Sequence, residues 1–281
     1  MSEDRVVNIA GYKFVQLDEL DQRREKLREL CRNLSMKGTI LLSPEGINVF
    51  LAGSRDAIDD FLRELRSDAA LKDFNTKESF SEYQPFTRML VKVKKEIIAF
   101  SIDGIAPETY TSRRVTPNVL KQWMDEGRPV TMLDTRNQFE YEVGSFKDAL
   151  SLDINSFRNF PKAVSTLPED LKRRTVVTFC TGGIRCEKAG PFLEQAGFEN
   201  VYQLDGGILQ YFEDCGGEHY QGECFVFDKR VALDPTLAET GTALCYGCHA
   251  VLDIEDQKSA EYVPGEFCPY CGNESRNPYA D

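Results

Sequence analysis

Histidine is scarce: the 281-residue chain holds two, His219 and His249. A metal held by several imidazoles is therefore excluded by count. No apolar run approaches the roughly 20 residues needed to span a bilayer. The opening MSEDRVVNIAG has no basic stretch followed by an apolar core. A chain without a signal peptide, and hence a cytoplasmic one, is the expectation. No G-x-G-x-x-G occurs, so no flavin or nicotinamide motif is seen. Basic charge is in deficit too: 34 Lys and Arg stand against 46 Asp and Glu, a net charge of −12. That excludes a general nucleic-acid-coating surface while leaving room for a local basic patch. Internal repeats and low-complexity tracts are absent.

Cysteine is plentiful by contrast, with nine in the chain. In a cytosolic protein such a number points to metal ligands or catalysis rather than to disulfides. The length suits about two domains and an extension. Residues 6–17 read as a strand, 21–38 as a helix stopped by Gly38, and 39–53 as two strands around Pro44-Glu45-Gly46. Ser54 caps a predicted helix running to Arg66, and 88–100 read as a closing strand. The order β-α-β-β-α-β predicts a ferredoxin-like α+β domain over 1–112. After a turn-rich boundary the rhythm changes. Strands at 130–136, 149–153, 175–180 and 201–207 alternate with helices opening at Thr116-Pro117, near Phe139, at Asn155 and at Cys186. Short alternating units predict a parallel sheet covered by helices over 113–222. From 223 to 281 cysteines replace apolar periodicity. The fold class is thus α/β with an α+β domain in front and a cysteine-rich tail behind.

The stretch VVTFCTGGIRCEKAG, 176–190, carries the chemistry. Cys180 ends a strand, the side on which open α/β sheets bind ligands. A helix N-terminus follows, whose unpaired N–H groups and dipole favour an anion. Thr181, Gly182, Gly183 and Ile184 form the intervening loop, and the glycines let it curl with its amides inward. Arg185 adds a permanent cation. Together these favour thiolate at Cys180, making it a nucleophile. Four residues separate Cys180 from Arg185, one fewer than in cysteine phosphatases. The shorter loop suits a single sulfur atom better than a phosphate. A buried cysteine before an ordinary turn is the bland alternative. Cys186 either resolves an oxidised Cys180 or fills space, and Glu187 suits the helix dipole. Asp134 and Arg136, at a strand end, are expected to hold loops by an ion pair, with Glu140 as a further partner.

Cys180-Thr-Gly-Gly-Ile-Arg185 resembles the active-site loop of rhodanese domains. Leu133-Asp134-Thr135-Arg136, Gly144 to Ala149 and Leu204 to Ile208 resemble further rhodanese signatures. More closely, KGTILLSPEGIN, KESFSEYQPFTRMLVKVKKEI, FCTGGIRCEKA and GECFVFDKRVA resemble the rhodanese-related tRNA uridine hydroxylases that act at wobble position 34. The likeness spans residues 6–233. It implies oxygen-dependent conversion of uridine to 5-hydroxyuridine, with tRNA as partner, molecular oxygen as co-substrate and Cys180 as a persulfide-bearing cysteine. It identifies no electron or sulfur donor. Val49-Phe50 stand where the family usually shows Gly-Thr, and Gly190 where it shows Ser. A plain sulfurtransferase using the same Cys180 is the first rival, and a non-catalytic binding module the second.

Strand alternation puts Arg88, Lys92 and Lys94 on one face, where they contact RNA phosphates or simply meet water. Arg113-Arg114 and Lys172-Arg173-Arg174 are weaker candidates of the same kind. Phe80, Tyr83 and Phe86 stack on a base or belong to the core. Glu45-Gly46-Ile47-Asn48 is either turn chemistry or a substrate-facing turn. In the tail, Cys245-x-x-Cys248 and Cys268-x-x-Cys271 lie 19 residues apart, the arrangement of a zinc ribbon. His249 as a replacement ligand and a pair of redox dithiols are the alternatives.

Overall fold

The computed structural model describes residues 5–271 except 246, 249 and 265. Apolar alternation builds the first unit. β1 (Val6–Phe14), α1 (Leu20–Asn33), β2 (Lys37–Ser43), β3 (Gly46–Gly53), α2 (Arg55–Arg66) and β4 (Lys77–Ser81) form the predicted β-α-β-β-α-β run. A further strand, β5 (Met89–Val93), extends the sheet to the order β4-β1-β3-β2-β5. The first four strands pair antiparallel, and β5 joins β2 in parallel. Ser54 caps α2, its side chain accepting from the Ala57 N–H at 3.3 Å. With a period of two, Ile9, Ile40, Leu42, Ile47, Val49, Leu51 and Val91 pack one face of the sheet against the helices. The intervening residues Asn8, Ala10, Tyr12, Phe14, Asn48 and Phe50 are left to line a cleft on the other face.

The expected closing strand over 88–100 differs from what forms. The closing strand of the motif is β4, and the 88–100 segment contributes only β5 before leaving the sheet. Lys-Glu-Ser-Phe-Ser concealed β4 because its apolar member, Phe80, is 46% exposed. Backbone pairing with β1, not burial, holds this edge.

The second unit contains β6 (Arg113–Val115), α3 (Pro117–Asp125), β7 (Val130–Asp134), α4 (Gln138–Val143), β8 (Gly144–Phe146), α5 (Phe160–Val164), β9 (Thr175–Phe179), α6 (Cys186–Gln195), β10 (Asn200–Leu204) and α7 (Gly207–Cys215). Strands β6-β10-β9-β7 form an all-parallel sheet in that order. Apolar clusters cover both faces: Leu120, Ile208, Tyr211 and Phe212 on one, Phe157, Phe160, Ala189 and Leu193 on the other. The strand expected at 149–153 is reduced to one parallel bridge, Leu150 to Leu133. Asp148 and Asp153 flank it with φ of 58° and 50°, so extended backbone cannot continue on either side. Beyond it come β11 (Tyr220–Gly222), β12 (Cys224–Phe225), β13 (Ala232–Leu233), β14 (Ala243–Leu244), β15 (Val251–Leu252) and α8 (Ile254–Gln257). β11 pairs with β8, while β12-β13 and β14-β15 are small hairpins. No helix among the described residues is long and apolar enough to cross a membrane.

Candidate active site

Strand β9 delivers Cys180 to the carboxyl edge of the parallel sheet, and α6 begins six residues later. The loop between them curls as its glycines allow. Gly183 adopts φ +96°, a conformation that a side chain would strain. Its N–H donates to Cys180 Sγ at 3.1 Å. Burial alone would push the Cys180 thiol up. A hydrogen bond from Cys186, the Arg185 charge and the backbone N–H groups of Arg185 and Gly183 outweigh burial, lowering the pKa from 9.0 to about 6. The arrangement favours thiolate over thiol at Cys180.

Cys186 is its complement. Burial and the adjoining Cys180 raise its pKa well above 9.0, so it remains a thiol and a donor. Arg185 is fixed rather than mobile: its guanidinium makes a bidentate pair with Glu140, at 2.8 and 2.9 Å, and Glu140 is fully buried. This differs from the expected use of Glu140 beside Arg136. Arg136 instead pairs with Asp134, Nη2 to Oδ2 2.6 Å, and donates to the Gly144 carbonyl at 2.6 Å. Ser145 completes that knot by donating to Asp134 at 2.8 Å. The Asp134–Arg136 pair thereby ties β7 to β8, while Arg185 is the cation beside the cysteine. Thr181 donates to the Phe225 carbonyl at 3.4 Å, and Gly182 and Ile184 line open space.

That space is a cleft of about 520 Å³ between the two sheets, closed by the segment 226–237. Cys180 and Arg185 lie on one wall. Tyr12, Phe14, Asn48, Phe50 and Phe86 form the other, and Phe227 and Arg230 the third side. Its volume and partly aromatic lining are those of a small-molecule or single-nucleotide site. The first unit is locked to the cysteine loop by two ionic clusters. Glu187 accepts from Tyr12 Oη at 2.9 Å, Thr111 at 2.6 Å and Arg114 at 2.6 Å. Lys188, 1% exposed, donates to Glu45 at 3.0 Å, to Glu96 at 2.8 Å and to the Ile98 carbonyl at 3.2 Å. Glu45 of the Glu-Gly-Ile-Asn turn is therefore spent on docking, and Asn48 is the turn residue that reaches the cleft.

Two family profiles match this architecture in chain order: the UPF0176 acylphosphatase like domain over residues 6–97 and the Rhodanese-like domain over 116–214. A protein of Cupriavidus necator called "tRNA uridine(34) hydroxylase" is 53% identical over 95% of this chain and 96% of its own length. Proteins of the same designation from Ralstonia nicotianae and Burkholderia thailandensis are 49% and 50% identical, over 96% and 94% of this chain and 97% and 93% of theirs. The chain belongs to the tRNA uridine(34) hydroxylase family, a family of enzymes. A solved rhodanese-like domain from Anabaena sp. is 26% identical, covering 40% of this chain and 80% of its own, at a TM-score of 0.34.

In this member of the tRNA uridine(34) hydroxylase family, Arg88, Lys92 and Lys94 are exposed. By alternation they stand on the sheet face that floors the cleft, Lys92 on β5 and Arg88 and Lys94 at its two ends, two strands beyond β3. At about 4.8 Å per strand that places the stripe ~10 Å past β3. Of the weaker candidates, Arg114 is engaged by Glu187 and Asp205, Lys172 by Glu169 and Arg174 by Asp170. Phe86 lines the cleft, whereas Phe80 and Tyr83 lie exposed outside it. Burial pushes the Cys224 thiol up to about 12, and it lies within hydrogen-bond reach of Thr181. Sequence reasoning gave no role to Tyr12, Phe227 or Arg230. Their signal was present only in the quoted family segment containing Phe227 and Arg230; Tyr12 had none.

Cys245, Cys248, Cys268 and Cys271 converge in the tail, all four sulfurs within 4.8 Å of one another. Separations of 3.6, 3.8 and 3.9 Å are given by Cys248–Cys268, Cys268–Cys271 and Cys245–Cys271. A tetrahedron with metal–sulfur bonds of about 2.3 Å has edges of ~3.8 Å. The donor set fits one metal ion without rearrangement. His249 lies outside the described residues.

Proposed function

We propose that the chain hydroxylates uridine 34 of tRNA to 5-hydroxyuridine, using oxygen and Cys180. The observation that carries this reading is a thiolate-favouring cysteine facing a nucleotide-sized cleft, in a chain about half identical to its relatives along nearly all its length. Cys180 accepts a sulfur atom by attacking the outer sulfur of a donor such as thiosulfate, sulfite leaving with the bonding pair. Hydroxylation replaces the C5 hydrogen by hydroxyl: one oxygen atom of O2 enters the base and the other becomes water. Two thiols oxidised to a disulfide supply the two electrons and two protons. Arg185 holds the anionic sulfur in place, and Cys186 donates to it. Asp134 and Arg136 keep the loop's neighbours in register. Arg88, Lys92 and Lys94 receive the RNA backbone as it leaves the cleft. The four tail cysteines hold zinc, which supplies folding energy rather than chemistry. A reducing cytoplasm suits nine cysteines of which none is in a disulfide.

The test is deletion of the gene and mass spectrometry of tRNA nucleosides, with restoration by wild type or Cys180→Ala. Loss of 5-hydroxyuridine derivatives restored by wild type alone supports the reading. The second reading, sulfur transfer from a small donor to an acceptor thiol, is favoured by the loop's single-sulfur size. Unchanged tRNA with retained thiosulfate–cyanide activity would establish it instead.

A further inference from the structure

Among the described residues five cationic side chains line the cleft: Lys13, Lys77, Arg114, Arg185 and Arg230. Four are already matched. Lys13 pairs with Asp73 and donates to the Ala70 carbonyl. Arg114 pairs with Glu187 and Asp205, at 2.6 and 2.9 Å. Arg185 pairs with Glu140 at 2.8 Å, and Arg230 with Asp228 at 2.5 Å. Lys77 is different. It projects from β4 on the cleft side, the side used by Ser79, whose hydroxyl accepts from Arg230 at 2.7 Å. Its Nζ reaches the turn after β10, 3.1 Å from where a Cβ on Gly206 would sit. Among the described residues it has no hydrogen bond and no ion pair within 4.0 Å. Asp205, Glu213 and Asp214 bear on it only at longer range, and burial is the larger influence, lowering its pKa from 10.5.

A half-buried ammonium without a partner is unfavourable in the free protein. The other cations of the wall are paired, and the carboxylates of Asp73, Glu78, Asp205 and Glu213 also line the cleft. An RNA strand entering there brings phosphates into a region short of free positive charge. We infer that Lys77 is the anchor for a backbone phosphate next to the target nucleotide, setting how deep the base is placed toward Cys180. This rests on the tRNA reading above and adds a residue to it. Lysine suits the task, since its ammonium is a point charge that meets a phosphate from many directions.

The test uses full-length protein and a synthetic anticodon stem–loop carrying uridine at position 34, with affinity measured across a range of salt. Lys77→Gln, with an unchanged thermal midpoint, is expected to weaken binding on the order of tenfold, the worth of one hydrogen bond to a charged group. It should also reduce the slope of log affinity against log salt by about 0.7, one single-strand phosphate contact. Lys77→Arg should restore most of the affinity and all of the slope. Wild-type affinity and slope in Lys77→Gln would overturn the assignment while leaving the tRNA reading intact. Failure of the wild-type protein to bind the stem–loop would overturn the reading and the assignment together.

Discussion

Removing the Cys186 sulfur should make Cys180 a weaker acid by a predictable amount. Cys180 is 1% exposed, so burial opposes its ionisation, and its pKa of about 6 exists because donors outweigh burial. The Cys186 hydrogen bond is foremost among those donors. A hydrogen bond to a charged acceptor stabilises it by about 1.5–3 kcal/mol, and a thiol is at the weak end, so Cys186→Ala should raise the pKa by about one unit. A depressed pKa means that reactivity is present above it and lost as pH falls through it. In wild type half the thiolate remains at about pH 6. In the variant only ~10% should remain there, a roughly fivefold slower alkylation. Trypsin cuts after Arg174 and Arg185, so peptide 175–185 reports Cys180 alone. Iodoacetamide labelling of that peptide across pH gives the midpoint without depending on the absolute rate. Cys186→Ser, which keeps a donor, should move the midpoint less. An alanine variant with its midpoint still near the wild-type value would refute the account of how this thiolate is held.

Three further outcomes follow from packing and charge. Lys188→Met leaves Glu45 and Glu96 without their shared cation; stability should fall by about 3 kcal/mol in urea, and protease cleavage within 101–111, a stretch without helix or strand, should quicken. Gly190→Ser should destabilise by about 1–3 kcal/mol, because a Cβ there would meet Ser112 Oγ at 1.6 Å and Ser112 Cβ at 2.9 Å. Adding Ser112→Gly should recover most of that loss, a non-additivity expected of touching residues and readable by thermal unfolding. Elemental analysis of freshly purified protein should find close to one zinc per chain, reduced by Cys268→Ser; a content near zero would contradict the tail site.

The sequence exposed what is local. Cys180, the glycines and Arg185 lie within one turn, so their joint effect on a sulfur followed from order alone, and the paired C-x-x-C turns behaved likewise. What stayed hidden depends on distant segments. Nothing near Glu140 marks it as the partner of Arg185, 45 positions away. Tyr12 meets Glu187 across 175 positions, and Lys188 gathers Glu45 and Glu96 from another domain. Edge strand β4 lacked a buried apolar row, and the 149–153 segment looked like a strand because Leu150 and Leu152 pack in the core while the positive-φ aspartates beside them went unseen. Lys77 became visible only once the other cations of the cleft had found their carboxylates.

The central claim is tested most directly with purified protein, tRNA from a strain lacking the gene, a thiol reductant and oxygen labelled with the heavy isotope. The account predicts that the isotope appears in the 5-hydroxyl of uridine 34 with wild type and not with Cys180→Ala. A hydroxyl whose oxygen comes from water, or a product formed equally by the alanine variant, would contradict it.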